Sequence, residues 1–118
     1  YPAEADIPAM QAWYAKVFGG FPGARQRVAR PGVIQTDYFH RFNFSFSAGA
    51  GKLAPTCGRA IDHLGFDVKN IEEFQKHLAA QGLKFDAPPR QIPNIKTKVA
   101  FLTDPWGTYI EVTEALTP

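Results

Sequence analysis

The clearest periodicity in the chain lies in DIPAMQAWYAKVFGG, where Met10, Trp13, Tyr14, Val17 and Phe18 recur at three- and four-residue steps and form one stripe of a helix. Asp6 is placed to cap its start, Pro8 suits the first turn, and Gly19 ends it. A second helix is predicted in NIEEFQKHLAAQG. Asn70 is its N-cap, Glu73 holds the capping-box position, and Gly82 supplies the stop. Ile71, Phe74 and Leu78 make its buried stripe, with His77 beside them as a half-exposed residue.

Elsewhere the period switches to two. HRFNFSFSA sets Phe42, Phe44 and Phe46 on one face of a strand and Arg41, Asn43, Ser45 and Ser47 on the other. TKVAFLT and TYIEVTE flank DPWG, where Pro105 fits the second position of a turn and Gly107 its exit, so the two strands are expected to form a hairpin. Residues 25–38 read as strand interrupted at Pro31-Gly32. AIDHLGFDV reads as a strand leading into the second helix, with Leu64, Phe66 and Val68 packing and Ile61, His63 and Gly65 facing the other way. In TYIEVTE the packed residues are Ile110 and Val112, which leaves Tyr109, Glu111 and Thr113 opposite.

Setting Asp6 on Asn70, an offset of 64 residues, aligns Ile7 with Ile71, Met10 with Phe74 and Tyr14 with Leu78. With three strands after each helix, the pattern is helix-strand-strand-strand twice, AIDHLGFDV being an extra strand that leads the second copy.

Composition narrows the class. A chain of 118 residues, 45% hydrophobic and 20% charged, suits one folded domain. The net charge of +2 comes from 13 basic and 11 acidic residues scattered without runs, which gives no footprint for nucleic acid or an anionic membrane. No apolar stretch approaches the roughly 20 residues of a membrane span, and no leader pattern is present. The single Cys57 excludes an internal disulfide and suits a reducing compartment, so a cytoplasmic protein is expected; the start at Tyr1 rather than Met leaves a removed leader open.

His63 breaks a run where a strand that only packed would carry Val or Ile. Alternation puts it on one sheet face with Glu111, and an imidazole and a carboxylate converging there suit a divalent metal. Taken singly, His63 also fits a core histidine hydrogen-bonded to backbone or to the neighbourhood of Asp62, and Glu111 a rim carboxylate. Tyr109 and Thr113 share the face as candidate substrate contacts or as packing. His40 fits a loop histidine, a substitute ligand or an acid/base, and Arg41 and Arg59 fit an anionic substrate or a solvated surface. Cys57 follows Pro55-Thr56 in a linker with no His or Asp identifiable as its activator, and Trp106 covers the hairpin turn.

From Gly58 to Leu116 the chain resembles the second module of the vicinal oxygen chelate superfamily, which holds glyoxalase I, bleomycin-resistance proteins and extradiol dioxygenases. The likeness rests on a His early in the leading strand, a capped helix, and the DPWG turn followed by Ile-Glu-Val. DIPAMQAWYAKVFGG with its trailing strands resembles the first module. The resemblance implies an α+β fold of two βαβββ modules forming a cupped mixed sheet, residues 1–57 and 58–118 of a single domain, the first lacking its leading strand in this chain.

It further implies a metal held by His63 and Glu111, with Glu111 catalytic, while Asn43, Ser45 and Arg41 join Tyr109 and Thr113 as substrate contacts. The first module's final strand offers no carboxylate, and the position 64 residues before His63 lies just before Tyr1. A histidine there completes a two-histidine-one-carboxylate set for Fe, Mn, Zn or Ni. The expected function is then a metal-dependent enzyme, a glyoxalase-like lyase or isomerase or a ring-cleaving dioxygenase, working as a homodimer on a small substrate that chelates through adjacent oxygens. Without that histidine, the resemblance implies a metal-free binding protein that sequesters an antibiotic such as bleomycin, or a domain that has kept the fold and lost the site.

Overall fold

Helix α1 (Ile7–Phe18) forms where the stripe predicts it, in a computed structural model that describes residues 3–25, 34–39, 42–49 and 53–114. The chain divides into two units, Tyr1–Leu53 and Ala54–Pro118. In the first, α1 is followed by β1 (Phe21–Arg25), β2 (Ile34–Phe39) and β3 (Phe42–Ser47), an antiparallel sheet in that order. In the second, β4 (His63–Val68) leads to α2 (Ile71–Ala80) and then to β5 (Arg90–Gln91), β6 (Lys98–Thr103) and β7 (Tyr109–Glu114). Its sheet runs β4-β7-β6-β5, parallel between β4 and β7 and antiparallel elsewhere, so the architecture is α+β.

Ile7, Met10, Tyr14 and Val17 are the buried face of α1, with Trp13 and Phe18 half-buried at its flanks. Tyr14 stacks on Phe44 at 5.0 Å and meets Phe46 at 5.5 Å. The alternation of β3 holds, but its burial is graded. Phe46 is buried and Phe44 half-buried against Tyr14, whereas Phe42 is exposed and stacks at 4.9 Å on its cross-strand partner Phe39. Gly20 has no room for a side chain, since a Cβ there would stand 2.7 Å from the Phe39 ring.

Two expectations fail in this unit. Asp6 does not cap α1: a 3-10 turn, Glu4–Asp6, runs into the helix, Asp6 has helical φ and ψ, and its side chain makes no capping bond. A strand also begins at Phe21, earlier than the expected start at residue 25 and across Pro22-Gly23. Proline is admissible there because β1 ends the order of its sheet, where a missing N–H breaks no inner ladder. Pro31, Gly32, His40 and Arg41 lie outside the described residues.

In the second unit Leu64, Ile110 and Leu102 lie side by side across β4, β7 and β6, as do Phe66, Val112 and Ala100. Ile110, Val112, Ile71 and Leu78 are fully buried, each contributing about 1.5–3 kcal/mol. The Asn70 side chain accepts the Glu73 N–H at 2.8 Å, the capping bond the sequence predicts. A partner from β7 completes the helix start: Glu114 Oε2 accepts the Ile71 N–H at 2.6 Å. Gly82, at φ 73°, closes the other end, with Leu83 N–H on the Leu78 carbonyl at 2.9 Å and Gly82 N–H on Ala79 at 3.0 Å.

The β6–β7 hairpin turns at DPWG as expected, with Gly107 N–H on the Asp104 carbonyl at 3.1 Å. The buried Asp104 carboxylate accepts N–H groups from Trp106 at 2.9 Å and Thr108 at 2.7 Å. Thr56 donates its N–H to the Gly107 carbonyl and accepts the Tyr109 N–H at 2.8 Å. Residues 54–57 therefore travel with the second unit. No helix among the described residues is long and apolar enough to cross a membrane.

Candidate functional site

Strand β4 begins at His63, three residues later than AIDHLGFDV suggests. Ahead of it Gly58, at φ 78°, donates its N–H to the Asp62 carboxylate, and this turn holds Ile61 and Asp62 out of the ladder. From His63 onward the alternation is regular. His63 pairs with Tyr109, and Gly65 with Glu111, across the parallel β4–β7 ladder. Phe101 stands on the far side of Glu111, and Thr103 on the far side of Tyr109.

Because Glu111 has only a glycine directly across from it on β4, its carboxylate is free to reach diagonally toward His63. His63 Nε2 and Glu111 Oε2 are 3.7 Å apart, with the imidazole 42% and the carboxylate 27% exposed. The other ring nitrogen is engaged: Nδ1 lies 2.9 Å from Asp62 Oδ1. The Gly58 N–H, followed by His63, holds the Asp62 carboxyl below the usual aspartate range, and the Cys57 thiol adds to this. Cys57 thus has an Asp partner that its position in a linker did not reveal.

An aromatic wall flanks the pair. Phe101 and Tyr109 stack at 4.9 Å with planes 7° apart, and His63 meets Phe101 edge-on at 6.5 Å. Burial pushes the Tyr109 phenol above its ordinary value, and charge from Cys57, Asp86, Asp62 and Glu111 reinforces this, so the hydroxyl is a neutral donor at physiological pH. Thr103 donates to Asp86 Oδ2 at 2.9 Å at the edge of the same face.

The structure therefore brings His63, Glu111 and Tyr109 together on one face. Thr113 shares it but is 3% exposed, its hydroxyl engaged by the Phe66 carbonyl at 3.4 Å and Asp67 Oδ1 at 3.3 Å. Asn43 and Ser45 belong to the other unit, where they are exposed on β3, and Arg41 lies outside the described residues. Among the described residues no three His, Cys, Asp or Glu side chains converge to hold a metal ion. Sequence reasoning missed Phe101, and it named the neighbourhood of Asp62 only as a bonding partner for a core histidine. Pairing TKVAFLT across the hairpin would have put Phe101 beside Glu111; nothing local marks the turn that brings Asp62 to His63.

The model of the Glyoxalase/Bleomycin resistance protein/Dioxygenase superfamily matches residues 3–112. No curated protein matches the sequence. Among solved structures, a glyoxalase family protein from Enterococcus faecalis is 22% identical with a TM-score of 0.73, covering 91% of this chain and 87% of that one. The genomically encoded fosfomycin resistance protein FosX from Listeria monocytogenes is 12% identical with a TM-score of 0.69, covering 93% and 84%. TioX from Micromonospora sp. ML1 is 17% identical with a TM-score of 0.66, covering 98% and 93%. At these identities the structural likeness is one of fold, while the family match spans both units: the chain belongs to the Glyoxalase/Bleomycin resistance protein/Dioxygenase superfamily.

Proposed function

We propose that this protein is a divalent-metal-dependent enzyme acting on a small molecule that presents two adjacent oxygens, with His63 and Glu111 as metal ligands. The observation that carries the reading is the 3.7 Å approach of His63 Nε2 to Glu111 Oε2. That gap is too long for a hydrogen bond and suits two atoms each bound to one ion at about 2.0–2.2 Å. Nitrogen and carboxylate donors fit Fe, Mn, Zn or Ni.

A bound ion of this kind supplies Lewis acidity to an oxyanion or enolate forming on the substrate. Around it the chain's own groups have separate tasks. Glu111 contributes one oxygen toward His63 and keeps a second for accepting a substrate proton. The flat Phe101–Tyr109 pair excludes water from one side, and the neutral Tyr109 hydroxyl is a donor for a substrate oxygen.

The test is metal retention by the purified protein after separate loading with Fe(II), Mn(II), Zn(II) and Ni(II), beside His63→Ala and Glu111→Ala. Retention of one of these ions, lost in both variants, is expected; no retention of any by the wild type would sink the reading. The same preparation is expected to sediment as a homodimer. A second reading is favoured by the two-donor count among the described residues and by the stacked aromatic wall: a metal-free protein that sequesters a flat ligand such as the bleomycin class. Metal-independent bleomycin binding measured by titration would establish it.

A further inference from the structure

The carboxylate of Asp62 does two things at once. One oxygen accepts the Gly58 N–H and closes the turn ahead of β4, while the other lies 2.9 Å from His63 Nδ1. An ionised carboxylate has no proton to give, so in this contact the ring nitrogen is the donor. Nε2 has no such partner within bonding distance on the Glu111 side, where the gap is 3.7 Å. We propose that Asp62 is the positioning residue of this site, fixing neutral His63 as the Nδ1–H tautomer so that the Nε2 lone pair points toward Glu111. The Gly58 bond makes this orientation rigid, because Asp62 cannot swing away from the ring without opening the turn.

The inference rests on His63 being a metal ligand, yet its central claim is read without metal. Long-range ¹⁵N–¹H spectra of the full-length, metal-free protein are recorded at alkaline pH, where the ¹⁵N shifts themselves identify the neutral ring. His63 is assigned among the three histidines by comparison with His63→Ala. The wild type is expected to show protonated Nδ1 and bare Nε2. In Asp62→Asn the new amide oxygen still accepts the Gly58 N–H, but its NH₂ donates to Nδ1, which moves the ring proton to Nε2. Zn(II) affinity is then expected to fall about 10- to 100-fold, although Asn preserves size and the turn.

A wild-type ring protonated at Nε2, or an unchanged tautomer in Asp62→Asn, overturns the proposal even if both proteins bind Zn(II). The expected tautomers with no Zn(II) binding by either protein support the role of Asp62 and defeat the metal reading instead. If Asp62→Asn does not fold, as judged by its circular dichroism, the wild-type spectrum decides.

Discussion

Glu111 faces Gly65 directly across the parallel ladder of β4 and β7, and a Cβ built at Gly65 meets nothing within 4 Å. Neither packing nor backbone conformation demands a glycine here, and glycine inside a strand costs about 0.5–1 kcal/mol relative to alanine. Its effect is to keep the floor beside the His63–Glu111 pair clear. Gly65→Val is therefore expected to raise the Tm by a few degrees, following about 2–8 °C per kcal/mol across domains of roughly 60–250 residues, while lowering Zn(II) retention. Thermal unfolding and metal analysis on one preparation check both; a Tm drop would show that the position is packed after all.

Asp104 is 4% exposed and accepts two backbone N–H groups in the turn between β6 and β7. Asp104→Ala leaves both without an acceptor, at a cost of about 1–3 kcal/mol for each group kept from water. Asp104→Asn retains one amide oxygen and loses less. The order wild type, Asn, Ala in urea midpoints is expected, and equal midpoints for Asn and Ala would refute the role of the turn.

What was legible in the sequence divides by range. The side-chain alternation of a strand is a property of consecutive residues, so Ile110 and Val112 could be assigned to the core and His63 and Glu111 to one face without knowing the fold. The capping bond from Asn70 to Glu73 is equally local. Contacts across the chain left no such trace. Glu114 reaches Ile71 over 43 residues, and Thr56 reaches Tyr109 over 53. Local signals also failed where a second interaction competed: Asp6 has a capping residue's chemistry but sits inside a preceding turn, and Asp62, next to His63 in what reads as a strand, is drawn out of it by Gly58. The site is thus readable as a face, while the turn that brings the Asp62 carboxylate to the His63 ring is not.

In the first unit, Tyr14 is 1% exposed and touches the rings of Trp13, Phe18, Phe44 and Phe46. Tyr14→Ala removes the centre of that cluster, at a cost of about 3–5 kcal/mol. Trp13 reports on the first unit and Trp106 on the second, so in a Trp106→Phe background fluorescence follows Trp13 alone. The Trp13 transition is expected to move down by about 1–5 M urea, given slopes of about 1–3 kcal/mol per M. No shift would mean that the aromatic cluster does not hold α1 on its sheet.

Lys98 ties the start of α2 to the sheet, with its Nζ 2.7 Å from Glu72 Oε1 and 3.6 Å from Glu114 Oε1. The bond to Lys98 holds the Glu72 carboxyl below its ordinary 4.5, and the bond to Glu72 raises the Lys98 ammonium above 10.5. A depressed acid stabilises the fold above its ordinary value and loses that contribution as pH falls through the folded value. A raised base stabilises below its ordinary value and loses it as pH climbs through the folded one. The contribution is therefore complete between 4.5 and 10.5. Both groups are solvent-accessible, so the effect is small and screened by salt. Lys98→Met keeps the apolar stem and removes the charge, and its Tm is expected to fall below wild type at pH 7, with the gap shrinking as pH falls below 4.5 and narrowing in about 1 M NaCl. A gap of unchanged size at low pH would trace the difference to packing of the stem rather than to the ammonium.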